Sequence, residues 1–481
     1  MRIVRHLLLA VMYGISGALI VGIAFYVDYL ESRPDLRPWH LAELDAEFTA
    51  DDSHQVNSLA DYLALEDRLF GQLRTEVYAQ TTAADARLLN RYYEGSLADP
   101  LAYERDWNRS FELAHKSPRG AVLLLHGLSD SPYSMRALAQ LLHARGYHVV
   151  ALRLPGHGTA PSGLVHARWE DFAAATRLAA RDIRARFKAP LSFYMVGYST
   201  GAARAVEYSL AKLEGEDLPA ADGLILLSPA IGVSPVAALA KWQARLGGLL
   251  GLEKLAWQSI LPEYIPHKYN SFAVNAGDQI YQLTQIIAAR ITRLDTGQGV
   301  TGMPPLLAFQ SVADATVSSK ALARVLMRRL APGGHELVLF DINRHAEVEA
   351  LLAHDPRAQL AALLSDVTLP FALTLVTNDD SQSETVGVRH KPATTDDVLD
   401  EPLGLQWPRG VYSLSHTALP FAPNDPIFGS AEPEQRKGIY LGRIELRGEK
   451  GLLLIPASDQ VRLSHNPFFP YVERRVGSFV H

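Results

Sequence analysis

The residues with the clearest chemical potential are the five from Gly197 to Gly201, which read Gly-Tyr-Ser-Thr-Gly. A serine between two glycines is common, but this one follows the apolar run 191–196 and precedes a helical pattern over 202–213. A strand, a serine and a helix in this order are typical of a nucleophile elbow, a strained turn that presents a hydroxyl to a substrate carbonyl. The alternative is an ordinary turn with a capping serine. The context favours Ser199 as a nucleophile.

Such a nucleophile needs fixed N–H donors, because negative charge develops on the substrate oxygen. One expected donor is the backbone N–H of Thr200, directly after the serine. The other should come from the loop after the first core strand, which reads His-Gly-Leu-Ser-Asp from His126. Its best-placed donor is the backbone N–H of Leu128. We expect His126 itself to be structural, because it lies at the strand end beside this loop.

Three motifs carry a resemblance to a known family. HGLSDSP from His126, LPGHG from Leu154 and GYSTG from Gly197 look like those of bacterial α/β-hydrolases of the monoglyceride-lipase and serine-aminopeptidase-like group. The resemblance covers roughly residues 119–350 and implies ester or amide hydrolysis through an acyl-enzyme, a helical cap and no cofactor. It also implies a site-shaping role for His157.

The acid of a Ser-acid-His triad should follow the nucleophile in the chain. Asp314 is the only carboxylate in the loop 311–317, directly after the apolar run 306–310. Its role would be to accept a hydrogen bond from the histidine and fix its tautomer. The alternative is an N-cap for the following helix. The loop 228–230, the usual rival position, contains no acid.

The base has two candidates. His345 lies shortly after the apolar run 336–340, but its surroundings look like the polar start of a helix. His416 is the last residue of an expected short strand, 410–416, that runs into a proline-rich loop. We prefer His416 and keep His345 as the alternative; His465 is a weaker third candidate.

The preference for His416 also depends on the resemblance. SLSHTALPF followed by NDPIFG looks like the histidine loop of a longer, membrane-anchored subgroup with a C-terminal extension. This would place extra strands, such as 371–377 and 386–390, between the acid and the base.

Short apolar runs alternate with helical patterns along the middle of the chain. This alternation predicts an α/β-hydrolase fold, with a mainly parallel sheet and helices on both faces. We divide the chain into four units. Residues 1–31 are an N-terminal transmembrane anchor, and residues 32–118 are a helical extension. Residues 119–370 are the core, with a cap insertion at 232–302, and residues 371–481 are a C-terminal extension that completes the core and supplies the catalytic histidine.

The N-terminus predicts a membrane address. Leu7 to Val27 is 21 residues without a charge, enough for a helix to cross a bilayer core of roughly 30 Å. We favour a single-pass uncleaved anchor over a cleaved signal peptide, whose apolar region is usually shorter. Arginines precede the run and acids follow it, which places the rest of the chain outside the cytoplasm, in the periplasm of a Gram-negative cell.

Composition excludes several classes of protein. The 481 residues carry 46 Lys and Arg against 52 Asp and Glu, a net charge of −6, which argues against a nucleic-acid binder. The absence of cysteine excludes disulfides and thiolate zinc sites. The sequence has no recognisable metal or phosphate-loop motif, so no metal and no cofactor are predicted.

The sequence therefore predicts a membrane-anchored serine hydrolase for carboxylic esters with a small acyl or lipid-like group. Two alternatives stay open: an aminopeptidase or acyltransferase with the same triad, and a non-catalytic envelope binding protein. The oligomeric state is left open.

Overall fold

The computed structural model describes most of the chain. The described residues are 2–85, 89–188, 190–232, 252–346, 351–353, 355–408, 410–431, 433–434, 437–442, 446–447 and 461–480. Residues 233–251 of the predicted cap lie outside the described residues.

The helices and strands alternate through the middle of the chain. The α-helices are α1 (Arg2–Ser32), α2 (Pro38–Leu41), α3 (Leu59–Glu76), α4 (Arg136–Ala144), α5 (Gly163–His166), α6 (Trp169–Arg186), α7 (Thr200–Leu213), α8 (Val274–Leu294), α9 (Ser319–Ala321), α10 (Arg357–Leu364) and α11 (Phe469–Phe479). The strands are β1 (Phe111–Leu113), β2 (Gly120–Leu125), β3 (Tyr147–Leu152), β4 (Ser192–Tyr198), β5 (Gly223–Leu227), β6 (Trp257–Ser259), β7 (Phe272–Ala273), β8 (Leu306–Ser311), β9 (Glu336–Phe340), β10 (Ala372–Asn378), β11 (Thr385–Lys391), β12 (Leu399–Gln406), β13 (Leu446–Arg447) and β14 (Val461–Arg462).

A 10-stranded sheet forms the centre, in the order β1-β3-β2-β4-β5-β8-β9-β10-β11-β12. Strands β3 to β10 in this order pair in parallel. Strand β1 is antiparallel at one edge, and β11 and β12 are antiparallel at the other. The parallel strands β2, β3 and β5 are buried along their whole length, which fits strands covered on both faces. The predicted mainly parallel α/β fold class is confirmed.

The strand order places a site at the carboxyl ends of β2 and β4. The chain passes from β2 to β3 on one side of β2 and then returns to β4 on its other side. Open α/β sheets hold their sites at such a switch point. Leu125 and Gly197 are register partners at these strand ends, so the loops that follow β2 and β4 meet there.

Two apolar layers cover the sheet. One layer includes residues of α3, α6, α7 and α8. The other includes α4, α11 and the segment 407–422. The C-terminal residues therefore contribute three strands to one edge of the sheet and cover one of its faces. Strands β10 and β11 lie where sequence patterns predicted extra strands, whereas β12 was not predicted.

Two predicted elements are wrong. The sequence pattern between the apolar runs 306–310 and 336–340 predicts a helix over 321–330, but the structure has the short α9, a π-helical turn Leu322–Leu326 and a 3-10 turn Met327–Arg329 there. The end of this segment is drawn into a bridge with Val300, whose N–H bonds Arg329 O at 2.7 Å.

The strand expected over 410–416 is irregular. Asn343 ties it down instead of a sheet neighbour: its backbone N–H bonds Tyr412 O at 2.7 Å and its side-chain amide bonds Val411 O at 3.0 Å. His416 starts a 3-10 turn, His416–Ala418.

Helix α1 is long and apolar enough to cross a membrane, by length and composition; a signal sequence passes the same test. Its apolar side chains are exposed, with Phe25 at 72%. Near its end, Leu30 is buried against the domain, and Arg33, just after the helix, donates from Nη1 to Lys254 O at 2.8 Å.

Candidate active site

Ser199 lies on a sharp turn between β4 and α7. Its φ of 53° falls in the left-handed region, which costs a residue with a side chain about 1–3 kcal/mol. Neighbouring backbone holds this conformation: Ser199 N–H donates to Leu227 O at 2.9 Å, and Ala230 N–H donates to Ser199 O at 3.1 Å. The surrounding sheet therefore supports the strained turn that the motif predicted.

The two glycines of the motif permit close backbone approach. A Cβ on Gly201 would overlap the carbonyl oxygen of Leu125, at the end of β2. A Cβ on Gly197 would overlap the backbone of Ala202 in the first turn of α7. Glycine is needed at both positions because the helix packs directly on the strand ends.

The structure brings three predicted residues together. His416 Nε2 lies 3.2 Å from Ser199 Oγ, and His416 Nδ1 lies 2.8 Å from Asp314 Oδ2. An ionised carboxylate only accepts, so Nδ1 carries the proton and Nε2 is free to accept from the serine hydroxyl. The exposed fractions of Ser199, His416 and Asp314 are 8%, 5% and 9%, so the group is largely shielded from water.

Four donors surround the Asp314 carboxylate. Oδ1 accepts from the backbone N–H groups of Thr316 at 2.8 Å and Val317 at 2.9 Å. Oδ2 accepts from Gln310 Nε2 at 2.7 Å as well as from His416. Burial by itself would raise the pKa of Asp314, but attraction to His416 and these bonds hold the pKa below its ordinary value. The alternative role, a cap for α9, is taken by Ser318, whose side chain accepts from Ala321 N–H.

One residue of β4 and residues near the C-terminus hold the His416 segment in place. Tyr198, next to the nucleophile, donates from its hydroxyl to His416 O at 3.3 Å, and the two rings lie 5.3 Å apart. Fully buried Asn466 donates from its backbone N–H to Phe421 O at 2.8 Å and from its side-chain amide to Leu419 O at 3.3 Å. The imidazole is therefore placed by contacts far apart in the chain.

The other histidine candidates lie elsewhere. His345 sits in the 3-10 turn Arg344–Ala346, where its backbone N–H bonds Asn343 Oδ1 at 3.2 Å. Its Nδ1 is buried with no partner among the described residues. His465 bonds Phe428 O at 3.2 Å through Nδ1. The structure thus places His416, and neither rival, beside Ser199.

The two predicted amide donors occupy turns that leave them free of local acceptors. Asp130 N–H closes a turn onto Gly127 O at 3.3 Å, which leaves the amide of Leu128 in the middle of the turn. Thr200 is the first residue of α7, and first-turn amides have no acceptor within their own helix. The helix N-terminus also favours negative charge.

His126 and His157 are buried in the wall of the site. His126 Nε2 accepts from Leu154 N–H at 2.9 Å, so its proton is on Nδ1, which bonds Gly127 O at 2.8 Å. Burial, with neighbouring His157, holds the pKa of His126 well below its ordinary value. Burial lowers the pKa of His157 to about 4, and its Nδ1 bonds Pro155 O at 2.8 Å. Both rings are neutral supports of their loops.

Sequence reasoning missed the buried support under the LPGHG loop. Arg153, 1% exposed, donates to His157 O at 3.0 Å and pairs with Glu66 at 3.0 Å and Glu47 at 2.8 Å. A signal was present: Glu66 falls on the apolar stripe of α3, four residues after buried Tyr62, where an acid needs a partner. Within the described ranges, no cluster of three or more acids and histidines could hold a metal ion.

Comparisons with known proteins show what the core of the chain is similar to. Residues 116–348 match a family model described as Serine aminopeptidase, S33. Over 125 residues, 26% of this chain, the sequence is 29% identical to a thermostable monoacylglycerol lipase of Bacillus sp. (strain H-257), of which it covers 46%. Over 52 residues, 11% of this chain, it is 44% identical to a carboxylesterase of Bacillus subtilis (strain 168), of which it covers 21%.

Among solved structures, the monoacylglycerol lipase of Paleococcus ferrophilus is similar with a TM-score of 0.37 and 20% identity, over 48% of this chain and 89% of that one. The present chain spans less than half the length of the curated relatives it matches.

Proposed function

We propose that this chain is a serine hydrolase that cleaves carboxylic esters through an acyl-enzyme, since residues 116–348 match the family model described as Serine aminopeptidase, S33. The observation that carries the proposal is the linked geometry of the triad. His416 lies 3.2 Å from the Ser199 hydroxyl and 2.8 Å from the Asp314 carboxylate. Each atom has the hydrogen-bonding role that acyl transfer needs.

The chemistry follows from these roles. Ser199 Oγ attacks the substrate carbonyl and forms a C–O bond, while His416 Nε2 takes the hydroxyl proton. Asp314 accepts from Nδ1–H and stabilises the imidazolium. The N–H groups of Leu128 and Thr200 donate to the developing oxyanion. The ester C–O bond then breaks as the imidazolium gives its proton to the leaving alcohol. Water, deprotonated by His416, attacks the acyl carbon, and the bond to Ser199 Oγ breaks as the serine takes the proton back and the carboxylic acid is released.

Lipid-like esters are the substrates we favour. Two relatives are named a monoacylglycerol lipase and a carboxylesterase. The exposed apolar surface of α1 fits an anchor that keeps the domain at a membrane. Arg2 and Arg5 before the span, with Asp28 and Glu31 after it, support a domain outside the cytoplasm, periplasmic in a Gram-negative cell.

An aminopeptidase is the second candidate, because the family description itself names one. The same triad would also serve an acyltransferase. Turnover of p-nitrophenyl butyrate compared with aminoacyl p-nitroanilides separates the bond types. The ester proposal expects higher kcat/KM for the ester by orders of magnitude, and the reverse preference contradicts it.

The nucleophile is tested by labelling with a fluorophosphonate probe. We expect the natural protein to be labelled and Ser199→Ala to show no labelling. Ser228→Ala is a matched control, because Ser228 is also a buried serine at a strand end with a positive φ, of 42°. Equal labelling of all three proteins would remove Ser199 from the mechanism, and no labelling of the natural protein would favour a binding protein.

A further inference from the structure

The insertion crosses the loop that follows β2. This loop, residues 126–131, is called the β2 loop below. Tyr269 N–H donates to Ser129 O at 2.8 Å, and Ser131 Oγ donates to His267 O at 2.8 Å. The rings of His267 and Tyr133 stack with their centroids 4.4 Å apart. Residues 267–269 therefore contact the β2 loop through two hydrogen bonds, and His267 stacks on the ring that follows the loop.

The contact between residues 267–269 and the β2 loop supports a strained residue next to a proposed amide donor. Ser129 has a φ of 60°, in the left-handed region. Its carbonyl is the acceptor for Tyr269 N–H, so the insertion helps to hold that conformation. The preceding residue is Leu128. The direction of the Leu128 amide therefore depends on contacts with the insertion.

An ion pair lies in the middle of the same contact. Lys268 Nζ is 3.5 Å from Asp130 Oδ1, and the exposed side-chain fractions are 28% for the lysine and 5% for the acid. A Cβ on Gly127 would lie 2.9 Å from both Asp130 Oδ2 and the Tyr198 ring. The Tyr198 ring in turn lies 5.3 Å from that of His416. The carboxylate is thus packed into the wall of the triad.

We propose that Asp130 and Lys268 are positioning residues, which lock the β2 loop under the insertion so that the Leu128 amide meets the oxyanion. This inference rests on the proposed hydrolase function. Neither side chain reacts. Because Lys268 lies in the insertion and Asp130 in the β2 loop, the charge of the lysine neutralises the buried acid across this contact.

The charge of Asp130 gives a test that separates the proposed positioning role of the Asp130–Lys268 pair from packing alone. Among the described residues, the ionisable groups that face His416 include Asp314 from the β8 loop, Asp130 from the β2 loop and Tyr198 from β4. Burial raises the pKa of Asp130, while Lys268 and His416 act to lower it. A negative charge at Asp130 stabilises the imidazolium, so its removal should favour the neutral imidazole.

The test compares four variants of the full chain in p-nitrophenyl butyrate turnover. Lys268→Met should lower kcat by about tenfold or more with KM within about twofold, because a misplaced donor acts on the transition state. Lys268→Arg should restore most of kcat. Asp130→Asn/Lys268→Met should be more active than Lys268→Met, since no unpaired buried carboxylate is left. Asp130→Asn should move the acid limb of the kcat/KM profile to lower pH.

Arg293→Met is the control, because Arg293 also ties the insertion to the core, through Glu214 at 2.7 Å and away from the triad. It should leave kcat unchanged. A kcat for Lys268→Met equal to that of Arg293→Met overturns the inference, as do multiplicative losses in the double variant or an unmoved acid limb in Asp130→Asn. Thermal unfolding checks that each variant folds. If the natural protein itself shows no ester turnover and no fluorophosphonate labelling, the proposed function fails instead.

Discussion

The proposed nucleophile and the proposed base of this site are held in place in different ways. Ser199 is placed by its own neighbours: the glycines on either side, the strand before it and the helix after it. His416 lies 217 residues further along the chain, in an irregular segment. It is placed by Tyr198, Asn466 and the packing of the C-terminal residues on one face of the sheet.

The difference explains which half of the site a short motif can encode. Steric exclusion of Cβ atoms acts between residues that are close in the chain, so a short motif is enough to encode the turn at Ser199. An imidazole in a loop has no such local requirement. It needs only a supporting surface, and the surface can come from any part of the chain.

The sharpest way to break the comparison is to remove each histidine. His416→Ala should lower kcat for p-nitrophenyl butyrate by about 10⁴-fold or more, because the serine loses its base. His345→Ala is the matched variant, and we expect kcat within about twofold of the natural protein. Large losses in His345→Ala with retained activity in His416→Ala would exchange their assignments.

Asp314→Asn tests whether the acid belongs with the base. The amide preserves size but cannot hold the imidazole in the same tautomer, so kcat should fall by about 10³- to 10⁴-fold. Steady-state kinetics at neutral pH measures the loss. Far-ultraviolet circular dichroism should be unchanged, and a variant with full turnover would remove Asp314 from the triad.

Gly201→Ala tests the local half of the site. Its Cβ would overlap Leu125 O, so the free energy of unfolding should fall by about 1–3 kcal/mol or more. Gly71→Ala, in α3 with nothing within 4 Å of the added Cβ, should instead stabilise the protein by about 0.5–1 kcal/mol. Urea unfolding measures both. Similar changes in the two variants would show that close packing does not explain Gly201.

The smallest expected effect is on acid stability. The pKa of Asp314 is lower in the folded protein than its ordinary value of 3.8, so the folded state binds fewer protons there than the unfolded chain. The stabilisation is complete above that ordinary value and is lost as pH falls through the folded pKa. Between pH 5 and roughly pH 3, Asp314→Asn should therefore lose less unfolding free energy than the natural protein. Equal losses in urea titrations would contradict this.

The sequence predicted the parts of the fold that depend on periodicity. Alternating apolar runs predicted the parallel strands, and the elbow was visible because Gly197, Ser199 and Gly201 lie between a strand and a helix. The acid was predictable because Asp314 is the only carboxylate in its loop.

The base remained open between His345 and His416 because spacing alone fits both. Two features of the fold could not be predicted from sequence periodicity for the same reason. The segment 410–416 is tied down by the Asn343 side chain, and the helix after α9 is broken by a bridge to Val300. Partners so distant in sequence leave no local pattern.

The separation between Ser199 and His416 has a consequence for protein synthesis. A ribosome that has already released the elbow must still deliver more than two hundred residues before an imidazole can reach it. In the proposed mechanism, nascent, prematurely terminated or clipped chains that end before residue 416 would carry the serine but no histidine to activate it. Ester hydrolysis would then begin only after the C-terminal residues have been synthesised and have packed on the sheet.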